Sequence, residues 1–380
     1  MKPFLGLYIH IPFCAHICPF CDFPTVAIRR KKDFEEYLEI LQKEVVYYGK
    51  KFKETHTVDT IYFGGGTPSL FPIEGLEALV GSLRRAFDYA SDVEFSLEVN
   101  PGTMTRKKLD FCRLLGINRI SLGAQTFDNE RLRRLGRDHS VEQILQTYDN
   151  ARKASFSNIS IDIMMGIPLQ DRKAMKQDLN KILDLSPEHV SAYILTLEPG
   201  HEPQRWRIDD DVQADLFQQT SEFLDAHHYQ RYEISNYARI GWECRHNMKY
   251  WRSQEFLGLG LGAHSFMREE GGSPWGIRWS NSVSLKVYAT SVMEEKMSSG
   301  HREVLDPDTS LKDELITRLR LREGIDLQEL SIKYMKSFYK LFRNEIDNLC
   351  REGLVDFQGS VLKLTTKGIS VSNYVLGHFC

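Results

Sequence analysis

Residues 6–21 read Gly6-Leu-Tyr-Ile-His-Ile-Pro-Phe13, then Cys14-Ala-His-Ile-Cys18-Pro-Phe-Cys21. The first half is a short, nearly continuous apolar run, which predicts a buried strand. It empties into a loop that carries three cysteines. A disulfide framework wants an even number of cysteines spread along the chain, and a zinc site wants four ligands, usually from two separated pairs. Three thiolates on one loop suit a [4Fe–4S] cube with one iron left open to an exchangeable ligand. On spacing alone, a chance cluster or a structural metal-binding loop is the plainer alternative.

The same strand-then-loop unit recurs downstream. Strands over 60–63, 93–99, 119–125, 159–165 and 190–197 end at Gly64-Gly65-Gly66-Thr67-Pro68, Asn100-Pro101-Gly102, Gln125, Gly166-Ile-Pro168 and Glu198-Pro199-Gly200. Helical periodicity covers 33–49, with Asp33 as N-cap and Gly49 just past the end, then 73–89, 105–115, 141–154 and 171–185. Six strands alternating with helices predict right-handed βαβ units and a parallel sheet. Cys14, Gly65, Glu98, Gln125 and Asp162 all fall at or near strand C-termini, and a barrel gathers those ends around one mouth. The expected fold is α/β: a partial (β/α)6 TIM-like barrel over residues 1–200, open at one side. Residues 201–300 read as a barrel extension, with a helix over 208–227 and a strand over 232–238. Residues 297–309 read as a linker. Residues 301–380 read as a winged-helix-like α+β module that covers the mouth, with helices near 311–321, 327–333 and 337–352 and strands at 354–357 and 361–364.

Composition narrows the function. A hydrophobic content of 42% with 27% charged residues is ordinary for a globular protein. The net charge of −3 gives no electrostatic reason to expect nucleic acid. The last eighty residues carry 12 Lys/Arg against 12 Asp/Glu, so the winged-helix-like module lacks a basic excess too. No stretch approaches the ~18 apolar residues of a membrane span; a peripheral membrane contact stays compatible with the chain. Seven cysteines, three of them crowded together, fit a reducing compartment and a cytoplasmic protein.

Tyr8-Ile-His-Ile-Pro-Phe-Cys14 through Cys21-Asp-Phe23, followed by Gly64-Gly65-Gly66-Thr67-Pro68, resembles the coproporphyrinogen oxidase-like branch of radical S-adenosylmethionine (SAM) proteins. The resemblance runs through most of the chain. It implies that Cys14, Cys18 and Cys21 hold a [4Fe–4S] cluster, that SAM chelates the open iron, and that an electron from the cluster can split SAM. It also implies a SAM site built from Tyr8, Phe20, Gly65, Gly66, Thr67, Glu98, Gln125, Arg137 and Asp162. The residue types agree with that chemistry. Glycines let backbone approach a ligand, Gln125 can donate and accept, and Arg137 can fork onto a carboxylate. Asp162, an acid in an apolar strand, is costly unless it is paired or binds a ligand such as a ribose diol.

Two features bear on the member of the branch. The oxygen-independent coproporphyrinogen III oxidase resembles Cys-x3-Cys-x2-Cys-x-Cys; here Phe23 stands at the fourth position, and only 13 residues precede Cys14. Cys244-Arg-His246-Asn247-Met-Lys-Tyr250-Trp251 resembles instead the His-Asn-x-x-Tyr pattern of the branch's heme chaperones. The resemblance implies heme as a further cofactor, held by His246, Asn247 and Tyr250, with Cys244 and His264 as rival ligands. It also implies transfer of heme to an acceptor protein, and an electron donor such as a flavodoxin or ferredoxin. The competing readings are the oxidase itself and a structural metal-binding protein.

Overall fold

A computed structural model describes residues 2–196, 206, 208–268 and 274–379. Six parallel strands form in sequence order: β1 (Phe4–Ile11), β2 (Thr57–Gly65), β3 (Tyr89–Val99), β4 (Arg119–Gln125), β5 (Ile159–Met165) and β6 (His189–Ile194). Along β1, Leu5, Leu7, Ile9 and Ile11 are fully buried on one face, while Tyr8 and His10 alternate onto the other. The same alternation puts Thr60 and Tyr62, Glu94, Ser96 and Glu98, Ser160 and Asp162, and His189 and Ser191 on the concave face.

The sheet extends beyond the six strands. β7 (Asn236–Ala238) lies antiparallel to β6. On the opposite flank, β8 (Phe256–Leu259) adds a seventh parallel strand beside β1, with Leu7 opposite Leu257. β9 (His264–Met267), β10 (Ile277–Ser280) and β11 (Arg302–Val304) then follow antiparallel. Among the described residues the two flanks of this 12-stranded sheet do not pair with one another, so the described sheet is not closed.

Several expectations shift. Helix α1 spans Lys32–Phe52 and passes through Gly49, because a Cβ there would sit 2.6 Å from that of Ala86. Gly49 is therefore a close-approach glycine between α1 and α2 (Ile73–Ala86), not a terminator. Asp33 accepts from the amides of Arg29 and Arg30 rather than capping α1. Of the expected strand over 232–238 only Asn236–Ala238 forms, preceded by a separate short strand at Gln230–Arg231, because the Glu233 carboxylate closes a turn by accepting from Ser235 N and Asn236 Nδ2. The expected linker contains β11 and the start of helix Pro307–Arg318. The Glu198-Pro199-Gly200 stop and the 200/201 boundary lie outside the described residues.

Residues 307–377 form helices and a three-stranded antiparallel sheet ordered Ile325–Asp326, Val361–Leu364, Val355–Gln358. The expected helix over 337–352 breaks at Phe342 into Phe338–Leu341 and Arg343–Arg351. Among the described residues, none of this module lines the mouth cavity. Arg322 N donates to Tyr232 O, Ser253 Oγ pairs with Thr317 Oγ1 at 2.9 Å, and Glu233 bridges Leu321. These contacts place it against residues 232–253, at the N-terminal end of the parallel strands. Among the described residues, no helix is long and apolar enough to cross a membrane.

Candidate functional site

The strand C-termini converge on a cavity of about 600 Å³. Cys14, Cys18 and Cys21 line one side, and no disulfide ties them. Thr67 Oγ1 donates to Cys14 Sγ at 3.5 Å and Arg137 donates to Cys18 Sγ at 3.3 Å. Burial and mutual repulsion push the Cys14 and Cys21 thiols up, so loading iron there displaces protons. Among the described residues, no group of His, Cys, Asp or Glu is set to hold a single metal ion. A cluster, which takes its thiolates on separate irons, makes no such demand.

The opposite wall holds Glu98, Gln125 and Asp162, with Gly66, Thr67 and Phe20 at the rim. Glu98 accepts from Tyr62 OH at 2.9 Å and Gly65 N at 3.1 Å, and burial pushes its carboxyl up to about 7. Burial also raises Asp162, against the pull of the Ser121 and Ser160 hydroxyls at 2.7 and 2.8 Å. Gln125 ends β4 in the left-handed region, at φ +67°, just after a shift of register past Gly123. Such irregularities re-aim side chains beside functional sites.

Arg137 reaches the mouth from a short helix, α3 (Asn129–Arg134), N-capped by Asp128. Gly136 turns the chain at φ +70°, and a Cβ on it would sit 2.7 Å from Pro19. The turn therefore packs directly on the cysteine loop. Arg137 bonds Cys18 Sγ and Asn100 Oδ1, while its Nε is buried without a partner among the described residues. Three unbridged thiols, an unmet guanidinium nitrogen and two carboxylates on the facing wall fit an iron–sulfur cluster with a zwitterionic ligand. Tyr8 and Gly65 stand just behind this wall. The Tyr8 hydroxyl pairs with His10 Nδ1 at 3.1 Å, and a Cβ on Gly64 would crowd its ring. Sequence reasoning missed Tyr62, Asn100, Ser121 and Tyr193; polar residues at alternate strand positions were the available signal.

His246 lies elsewhere. It sits on helix α4 (Arg245–Trp251) at the other end of the barrel and is 1% exposed. Its Nδ1 pairs with Thr60 Oγ1 and its Nε2 with Tyr250 OH, both at 2.8 Å. Burial holds its pKa down near 3, so the ring is neutral. Asn247 is half-buried beside it. Arg245 is paired with Asp92 and Lys249 with Asp59. Glu94 caps α4 through the amides of Arg245 and His246. Of the rival ligands, Cys244 is buried and His264 exposed.

The radical SAM superfamily model matches residues 8–182, and the HemN C-terminal domain model matches 305–371. The solved structure of the Escherichia coli coproporphyrinogen III oxidase HemN, a radical SAM enzyme, superposes with a TM-score of 0.86 at 25% identity, covering 100% of this chain and 90% of that one. The Escherichia coli heme chaperone HemW is 37% identical over 69% of this chain and 70% of its own. The Bacillus subtilis heme chaperone HemW is 32% identical over 98% of both chains. With a barrel that delivers three cysteines to one mouth and likeness that runs from end to end, the chain belongs to the HemW family of radical SAM proteins.

Proposed function

We propose that this protein is a heme chaperone that binds heme and hands it to an acceptor protein, under the control of a SAM-bound [4Fe–4S] cluster. The observation that carries the cluster and SAM part is the single cavity shared by Cys14, Cys18, Cys21, Glu98, Gln125, Arg137 and Asp162. When bound, the cluster supplies an electron to SAM. The chain's own residues do the holding. The three thiolates ligate iron, and Arg137 and Glu98 offer opposite charges to the carboxylate and amino ends of SAM. Gln125 and Asp162 meet the ribose, Phe20, Gly66 and Thr67 flank the ligand at the rim, and Tyr8 and Gly65 back the wall behind it.

The heme part is supported by the HemW relatives and by His246, Asn247 and Tyr250. Both ring nitrogens of His246 are engaged, so ligation of iron requires Tyr250 to release Nε2 or Thr60 to release Nδ1. The heme acceptor and a flavodoxin- or ferredoxin-like electron donor belong to the same proposal, as does a cytoplasmic location. The test is anaerobic cluster reconstitution followed by heme titration and a SAM-cleavage assay on one sample. Heme binds, and His246→Ala or Tyr250→Ala weakens it about tenfold or more, the loss of a ligand bond or of its hydrogen-bonded partner. Unchanged affinity in both variants refutes the assignment. Sustained formation of protoporphyrinogen from coproporphyrinogen would establish the oxidase reading instead.

A further inference from the structure

Glu98 and Asp162, the two carboxylates of the wall facing the cysteines, are tied to α4 by unbroken runs of contacts, and the two runs share no residue before they reach that helix. The first begins at Glu98, which accepts from Tyr62 OH at 2.9 Å. The Tyr62 ring stacks on His246 with centroids 5.4 Å apart and planes inclined by 22°. His246 in turn pairs with Tyr250 OH one helical turn on.

The second run begins at Asp162, which accepts from Ser160 Oγ at 2.8 Å. Ser160 Oγ pairs with His189 Nδ1 at 2.8 Å, and His189 Nε2 with Tyr232 OH at 2.8 Å. Tyr232 OH accepts from the backbone amide of Cys244, the residue that caps α4, at 3.3 Å. One assignment of hydrogens satisfies every link. Cys244 N–H donates to Tyr232, Tyr232 to Nε2, Nδ1–H to Ser160, and Ser160 to Asp162. Burial keeps His189 neutral, so one ring nitrogen donates and the other accepts; in the Nδ1–H tautomer every donor points toward Asp162.

We propose that α4 reads the occupancy of the mouth through Tyr62 and the Ser160–His189–Tyr232 relay, so that SAM binding and events at His246 are thermodynamically coupled. This rests on the reading of the mouth as a SAM site. A ligand that donates to Glu98 competes with Tyr62, and one that donates to Asp162 competes with Ser160. Either competition releases a link whose far end holds α4. Burial makes the release consequential, because a polar group that loses its partner away from water must find another. By linkage, a ligand at His246 changes SAM affinity by the same factor that SAM changes affinity at His246. His189 and Tyr232 lie off the cavity lining and act as positioning residues, while Tyr62 lines the cavity and acts through Glu98.

The test uses the full chain with its cluster reconstituted. Backbone hydrogen exchange is followed with and without SAM, and heme affinity is measured under the same two conditions. SAM slows exchange around residues 64–67 and also changes exchange over 244–251 by about fivefold or more, the lower range of measured couplings. Tyr62→Phe keeps the ring stack but removes the hydroxyl, and Tyr232→Phe cuts the relay. Each shrinks the response at 244–251; Tyr232→Phe, off the cavity lining, leaves protection at 64–67; and each draws the ratio of heme affinities with and without SAM toward one. Protection at 64–67 with no change at 244–251 overturns the proposal, as does a response undiminished in both variants. If SAM protects no mouth segment, the SAM-site reading falls and the coupling falls with it. If α4 responds to SAM but heme does not bind, the heme assignment falls and the coupling stands.

Discussion

Glu98 gives the mouth a pH dependence whose size follows from its surroundings. Its carboxyl is pushed from 4.5 to about 7, chiefly by burial, although Tyr62 OH and Gly65 N both favour the charged form. A folded-state pKa above the unfolded one contributes stability below pH 4.5 and loses it as pH rises through 7. At ~1.4 kcal/mol per pH unit, the ligand-free fold gives up about 3 kcal/mol at most by pH 8, less what the water in the cavity returns. A ligand that brings a donor or a cation to Glu98 works in the opposite sense, because it binds the ionised form. At pH 6 about one molecule in eleven is ionised and at pH 8 about ten in eleven, so SAM affinity rises about tenfold between them. The amine of SAM titrates in the same range, so the measurement is comparative. Calorimetric titration of cluster-loaded protein with SAM is run at pH 6, 7 and 8 for the parent and for Glu98→Gln. The variant binds more weakly at pH 8 and follows a slope shallower by about one decade over the two pH units. Equal slopes in the two proteins would refute the reasoning, since the proton would then belong to another group.

Other consequences are local. Gly136→Ala forces a Cβ into the left-handed region against Pro19, at a cost of about 1–3 kcal/mol. Iron and sulfide content after reconstitution falls and SAM binds more weakly; full loading with unchanged affinity would count against the packing argument. Glu44, fully buried and pushed up to about 7, accepts from Gly260 N, Asn281 Nδ2 and Tyr288 OH. Glu44→Gln removes the titration at the loss of ~1 kcal/mol of hydrogen bonding. The variant therefore melts below the parent at pH 5 and at or above it at pH 8, where parallel melting curves would sink the idea. Changing Cys14, Cys18 or Cys21 to Ser abolishes the visible absorption of the reconstituted cluster, whereas Cys350→Ser, exposed and distant in sequence, leaves it intact.

What could be read from the chain alone depended on whether the signal was periodic. The six parallel strands were legible because apolar runs alternate with helical faces and each run ends in glycine, proline or a polar residue. The mouth followed because barrel geometry gathers strand ends. β8 was not legible. The glycine spacing of Leu257-Gly-Leu-Gly-Leu-Gly262 marks neither a strand nor a helix, yet a Cβ on Gly258 would lie 2.1 Å from His264 O and one on Gly260 2.5 Å from His10 O. Those glycines serve close backbone approach in a strand that joins the sheet from two hundred residues away. Glu94, Ser96 and Glu98 were visible as one face, but alternation alone does not say whether that face meets water or a barrel interior. The burial of His246 was equally hidden, because a buried histidine and an exposed ligand look the same in a helix of seven residues.

The polar interior explains why the mouth and α4 communicate at all. A closed eight-stranded barrel fills its centre with layers of branched apolar side chains, which carry no directional bonds and transmit little from one end to the other. This protein's sheet places Tyr62, Glu94, Ser96, Arg119, Ser121, Ser160 and His189 on the same face, most of them fully buried. Such groups are stable only when each meets a partner. Arg119, 2% exposed, is held by Asn158 Oδ1 and Trp242 O and drawn further toward its charged form by Cys244 and Glu94. Glu94 spends its two oxygens on the start of α4. Most polar groups between the mouth and α4 are thus committed to a neighbour, Ser96 Oγ being buried without one among the described residues, and a continuous run of them links Cys244 to Asp162. A fold that needed only rigidity would gain it more cheaply from leucine and valine. The polar face is the costlier construction, and what it adds is a path along which a change of hydrogen-bond partner at the cluster end must be answered at the end that holds His246.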